Sequence, residues 1–266
     1  MTRSAGRRAA IVAVACLAAC TPPRPTLPSG SGTPFAEAPA AYDEAVRQCR
    51  DARTVLVELG LSGRAGDTRL RGRINAGIAA PASIRLEGVA PVFGRPIFIL
   101  AGRDGRATLL LSRENRVVDD APPEAIVEAL TGVALTPAEL LAAVAGCGLG
   151  TAAPLNGRAF GDDWVAVDAR DGVTYLRRVN ARWQVGGASR DGVTVVYGEF
   201  ASGLPSTIHV RTGTVADITL RVSQLEINST IDDGAFEVDV PEDALPLTLE
   251  ELRRSGPLGE REGAER

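Results

Sequence analysis

The sequence predicts an α+β domain in which helices lie on one face of an antiparallel sheet. Three observations predict it. Many short segments alternate apolar and polar residues with period two or are apolar throughout, as strands do. Gly-containing or Asp-Gly links join them, and such short links favour antiparallel neighbours. Helical periodicity is confined to one segment before the strands, a pair in mid-chain and one near the end, so the strand–helix rhythm of a parallel sheet is absent from the pattern.

The first element is not part of that domain. Arg3, Arg7 and Arg8 precede an apolar run ending in Leu17-Ala18-Ala19-Cys20. A basic start, a short apolar stretch and small residues before a cut describe a secretory signal over 1–19, too short to span a bilayer. The tetrapeptide resembles the bacterial lipobox, which implies that Cys20 becomes an acylated N-terminus. Several acyl chains, at roughly 0.8 kcal/mol per buried methylene, hold a protein on a membrane. Residues 20–39 are rich in Pro, Gly and Ser and predict a flexible tether, about 60 to 70 Å when fully stretched.

A single domain is expected over 40–252. It opens with a helix over 40–52, where Tyr42, Ala45, Val46 and Cys49 share a stripe. Val55–Leu61, Leu70–Ile74 and Ser83–Glu87 alternate, giving a sheet with one greasy and one charged face. Arg95–Leu100 and Thr108–Leu111 are apolar on both faces, with Arg103-Asp104-Gly105 as a hairpin turn between them. Two helices follow, at Pro122–Leu130 and Thr136–Val144. Each has Pro in its first turn, and Gly132 or Gly146 is its stop. Strands resume after about Gly157 at 164–167, 173–179, 183–185, 193–200, 207–211 and 216–227, with Asp171-Gly172 and Asp191-Gly192 as the clearest turns. Leu247–Arg254 predicts a short helix, and 253–266 a disordered tail.

The composition narrows the chemistry. Without residues 1–19, which contain three Arg and no acid, the chain carries a net charge of −7. Such a chain gains no counterion-release free energy on phosphate backbones and is repelled from an acidic bilayer surface, so neither nucleic acid nor anionic lipid head groups are expected partners and membrane contact is expected from the lipid anchor and apolar groups. There is no Lys, which removes a P-loop lysine, a Schiff base and a Ser-Lys dyad. The single histidine, His209, sits between Ile208 and Val210 in a strand and reads as a sheet-surface residue. Gly148-Leu149-Gly150 follows a helix instead of opening one, so it is no dinucleotide loop. Asp119-Asp120, Asp162-Asp163 and Asp232-Asp233 read as solvated turns. The expectation is a non-enzyme with no cofactor and no metal. Of the four cysteines, Cys49 and Cys147 lie outside the signal and anchor, and an exported protein closes such a pair as a disulfide.

The element order, together with stretches such as Val57–Arg64, Leu86–Pro91 and Phe236–Pro241, resembles the LolA/LolB superfamily of periplasmic lipoprotein carriers and outer-membrane acceptors. The resemblance implies a strongly curved sheet, an incomplete β-barrel, whose concave face is covered by helices and holds acyl chains. On that reading Val55, Val57, Leu59, Leu61, Leu70, Ile74, Ile84 and Leu86 line the sheet side of a lipid cavity. Ile126, Leu130, Leu140, Leu141 and Val144 form the underside of the lid. An aliphatic inner face under helices is equally what a solid core looks like. Val92 and Phe93, in the Pro/Gly-bounded loop 90–96, would correspond to the protruding membrane-contact loop of the acceptors. The implied function is an outer-membrane lipoprotein, on the periplasmic face, that binds acyl chains and receives or inserts lipoproteins delivered by a soluble periplasmic carrier. The alternatives are a solid-core envelope scaffold and a carrier of another lipid.

Overall fold

The computed structural model describes residues 26–89, 96–150 and 152–255. One sheet dominates it. In chain order the elements are β1 (Thr33–Pro34), α1 (Ala38–Ala45), β2 (Thr54–Ala65), β3 (Thr68–Ala79), β4 (Ser83–Val89), β5 (Pro96–Arg103), β6 (Arg106–Leu111), β7 (Arg116–Ala121), α2 (Pro123–Thr131), α3 (Pro137–Ala145), β8 (Pro154–Phe160), β9 (Trp164–Ala169), β10 (Gly172–Val179), β11 (Arg182–Arg190), β12 (Val193–Tyr197), β13 (Phe200–Ala201), β14 (Leu204–Pro205), β15 (Thr207–Thr212), β16 (Ala216–Ile227), β17 (Leu245–Pro246) and α4 (Leu249–Ser255). Apart from the small β13–β14 pair, the strands follow the spatial order β1-β8-β9-β10-β11-β12-β15-β16-β2-β3-β4-β5-β6-β7-β17. The sheet curves strongly and stays open, an incomplete barrel with helices on its inner face. At its centre β2 pairs with β16 from Val55↔Ile227 to Ala65↔Ala216, which joins the two halves of the chain.

Alternation explains the long strands. In β2, Val55, Val57, Leu59 and Leu61 are buried on the inner face, while Ser62 and Arg64 face out and are exposed. Asp104-Gly105 and Asp191-Gly192 both have positive φ at each residue, as tight hairpin turns between right-twisted strands require. Asp171-Gly172 does not. There Gly172 opens β10, and a Cβ on it would lie 2.4 Å from the Ser189 carbonyl oxygen, so close approach and not turn geometry selects glycine.

Both mid-chain helices lie within a residue of their expected places, with Gly132 and Gly146 left-handed at their ends. α3 also carries a reciprocal capping box between Thr136 and Glu139. The first helix is shorter than its stripe suggests. Beyond Ala45 the backbone continues in tightened turns, such as Cys49 N to Val46 O at 3.2 Å, which carry Val46 and Cys49 inward. Asp119 and Asp120 lie in a strand, not a turn. An irregularity in the β6–β7 ladder leaves both on the exposed side, where Asp120 pairs with Arg106 and Asp119 accepts from Thr108. The Arg106 guanidinium holds the Asp120 carboxyl below its ordinary range. Strand pairing resumes at Pro154, earlier than Gly157, and α4 runs beyond residue 252 to Ser255.

Residues expected to be tether take part in the fold. Thr33 and Pro34 pair with Ala159 and Arg158, covering part of the β8 edge, and Phe35 packs edge-on against Trp183. Leu27 lies over Gly187 on the outer face. At the opposite edge β17 pairs in parallel with β7, through Leu245↔Arg116 and Pro246↔Val117. On the way there, residues 228–240 strap the outer face: Arg85 donates to the carbonyls of Ala235 and Glu237, and Phe236 is buried.

Candidate functional site

The inner face and its lid form one apolar body. Val55, Val57, Leu59, Leu61, Leu70, Ile74, Ile84 and Leu86 are all buried, as are Ile126, Leu130, Leu141 and Val144 from above; Leu140 is half-buried at the rim. These side chains share one hydrophobic cluster, and two cavities open at its rims. A cavity of about 190 Å³ opens between the β2–β3 hairpin, the β15–β16 hairpin and the end of α2. Leu70, Leu130, Gly132 and Val215 help to line it. At the other end a cavity of about 380 Å³ is bounded by Gln48, Cys49, Trp183 and Phe200, with the polar groups of Glu44 and Arg182. The first of these mouths is the one contacted by residues expected to meet an acyl chain.

The lid is fastened unequally. α3 has three ties to the rest of the fold. Cys49 and Cys147, whose Cα atoms are 5.6 Å apart, form a disulfide that joins the turn after α1 to the turn after α3. Tyr197, fully buried on β12, donates to the Ala143 carbonyl at 2.7 Å and accepts from the Gly148 N–H at 3.0 Å. Burial pushes its hydroxyl pKa well above the ordinary range, so it stays protonated and keeps that donor. The third is an ion pair between Glu139, only 4% exposed, and Arg190 of β11. α2, by contrast, presents Ile126, Val127 and Leu130 to the core; its ties are an exposed ion pair from Glu128 to Arg253 on α4 and the Thr212 hydroxyl of β15, which donates to the Gly132 carbonyl at its end at 3.4 Å.

Tyr197, Glu139 and Arg190 were not singled out from sequence. Tyr197 looks like any aromatic in a strand, and the Glu139–Arg190 pair spans 51 residues of chain. His209 lies on the outer face with its Nδ1 3.1 Å from Thr219 Oγ1. Gly148 is a close-approach glycine: a Cβ there would meet the Ala188 Cβ at 2.9 Å. Asp162-Asp163 lies in a turn, and Asp232 caps a short 3-10 turn over 233–236. Among the described residues no group of three or more His, Cys, Asp or Glu is placed to hold a metal ion, and no helix is long and apolar enough to cross a membrane. Cys20, Val92 and Phe93 lie outside the described residues.

No family model and no curated protein matches the sequence. Solved structures do match the fold. A LolA superfamily protein from Nitrosomonas europaea superposes with a TM-score of 0.51 at 12% identity, over 74% of this chain and 94% of that one. A DUF1329 family protein from Desulfovibrio piger gives 0.46 at 12% identity, over 74% and 96%. The chain therefore has a LolA-like fold.

Proposed function

We propose that this LolA-like fold serves as a membrane-anchored receptor for acyl chains, held by an acylated Cys20 at the periplasmic face of the outer membrane and taking part in lipoprotein reception or insertion. The observation that carries the reading is the inner face: a continuous aliphatic sheet surface beneath a helix, α2, held by side-chain packing, an exposed ion pair and one hydroxyl of β15 at its end. An acyl chain entering at the Leu70–Leu130 mouth would replace aliphatic contacts with aliphatic contacts as α2 lifts. Little dispersion energy is then lost, while each methylene removed from water contributes about 0.8 kcal/mol. The closed form described here is the unloaded state of such a receptor, its interior filled by its own side chains. α3, with its disulfide and two polar ties, is the fixed wall.

The loop carrying Val92 and Phe93 joins Val89 to Pro96. Both of these residues lie at the sheet end that also bears the β2–β3 turn and the Leu70–Leu130 mouth. An apolar loop tip at that end would place the mouth against a bilayer. Native mass spectrometry with lipid extraction on the mature chain, purified from a bacterial periplasm, tests the central claim. A lipid or acylated peptide retained near one-to-one, and lost with Leu130→Glu, is expected. A clean unliganded mass together with failure to take up a fluorescent fatty acid would sink the receptor and leave the solid-core scaffold.

A further inference from the structure

The outer face of the sheet is unevenly covered. Leu27 lies over Gly187 on β11, and residues 228–240 strap β4 and β5 around Phe236. Between these covers, β15, β16, β2 and β3 present three cross-strand rows of outward residues. They read Arg211-Asp217-Arg64-Arg69, His209-Thr219-Ser62-Arg71 and Thr207-Arg221-Gly60-Arg73. Arg64, Arg69, Arg71, Arg73, Arg211 and Arg221 are all exposed. The carboxylates beside them are Asp217 within the rows, Glu58 one row on at 3.8 Å from Arg73, and Asp67 in the β2–β3 turn. Cationic groups therefore outnumber anionic ones two to one on this surface of a chain whose mature net charge is −7.

Asp217 stands between Arg211 and Arg64 and favours pairing there, but the rest of the arrangement works against it. Like charges directly across a ladder oppose pairing, yet Arg64 stands opposite Arg69. Gly60, with Arg73 on one side and Arg221 on the other, leaves no side chain of its own between two guanidinium groups. Hydroxyls of Thr207, Ser62 and Thr219 are interleaved. Guanidinium forks with neighbouring hydroxyl donors are the groups that bind phosphate oxygens.

We infer that this arginine face docks onto the anionic phospholipid head groups of the bilayer that Cys20 enters. The inference rests on the acylation of Cys20 proposed above, because the course of the chain selects a membrane over an acidic protein. Leu27, seven residues after Cys20, lies on this same outer face, and seven residues reach at most about 25 Å. β11 is three strand spacings from β16, about 15 Å, so the anchor is within reach of a bilayer that the arginine rows face. The rows spread over four adjacent strands, a shape suited to a surface. The low affinity for anionic head groups expected from net charge is reversed by where the charges sit.

The test uses the mature chain with Cys20→Ser, so that acyl anchoring contributes nothing. It is sedimented with vesicles of phosphatidylcholine alone or with about 30% phosphatidylglycerol. Binding about tenfold higher to the anionic vesicles is expected, falling as salt rises from about 50 to 300 mM and screening tightens. Arg64, Arg71, Arg211 and Arg221 all changed to Gln should bring binding down to the phosphatidylcholine level. The charge-matched set Arg50, Arg113, Arg170 and Arg254 changed to Gln should leave it within twofold. Equal binding to both vesicle types, salt-insensitive binding, or equal loss in both variants overturns the docking face. So does a preference for poly-glutamate over anionic vesicles, which would assign the face to an acidic protein. If the first variant misfolds, the lipid and salt arms of the parent chain decide alone. None of these outcomes bears on acyl-chain uptake, which the mass measurement tests separately.

Discussion

Tyr197 shows how much one side chain can fix. Its hydroxyl is the partner of two main-chain groups, one from α3 and one from the turn beyond it, in a place water does not reach. Tyr197→Phe keeps the ring and strands both the Gly148 N–H and the Ala143 carbonyl, each a buried polar group left without its partner. A loss of about 2 kcal/mol in unfolding free energy by denaturant titration is expected. Glu251 is the matching case at the surface. It accepts from the backbone N–H and the hydroxyl of Thr248 and pairs with Arg116, and these bonds lower its pKa to about 2. A lowered folded-state pKa means stabilisation that is complete above the ordinary carboxylate range, near 4.5, and lost as pH falls towards 2. The start of α4 should therefore loosen between those values. Carboxyl chemical shifts followed by NMR would show it, and Glu251→Gln should remove that pH dependence.

At the scale of elements, the helical cover divides into α3, tied by a disulfide and two polar contacts, and α2, held mainly by packing. The Cys49–Cys147 link closes a loop of 98 residues, and in the chain-entropy model a loop of that length is worth roughly 4 to 5 kcal/mol. Reduction should lower the melting temperature, and it should also raise fatty-acid uptake if α3 contributes to opening. Unchanged uptake after reduction would assign the movement to α2 alone. Most of these elements were legible in the sequence. β2 to β6 show clean alternation or apolar runs, and the lid helices carry Pro starts and Gly stops. β7 was missed because Asp119 and Asp120 look like turn residues, whereas the ladder irregularity puts both outside. β8 was missed because Pro154, Asn156 and Gly157 have low strand propensity. Tertiary contact decides there: a Cβ on Gly157 would lie 2.1 Å from that of Ala38, so α1 packs closely on the strand.

For the whole molecule, every residue proposed for the inner face packs into one apolar cluster, Leu140 half-buried and Leu70 and Leu130 at the mouth. What could not be read was whether they enclose space, because the same aliphatic residues at the same spacing make either a core or a lined cavity. Nor could the sequence show that the mature chain's negative charge leaves one face rich in arginine, since strands distant in sequence build that face. The ladder between β2 and β16 has a further consequence, for synthesis. Its two strands lie about 160 residues apart, so the midline of the sheet cannot zip until the final long strand has been made. Until then two half-sheets expose their central edges, β2 on one and β15 on the other, each a template for strand addition. A chain emerging in that state needs either a holding partner or a second half that arrives quickly. The order of emergence thereby becomes part of how this fold avoids joining its neighbours.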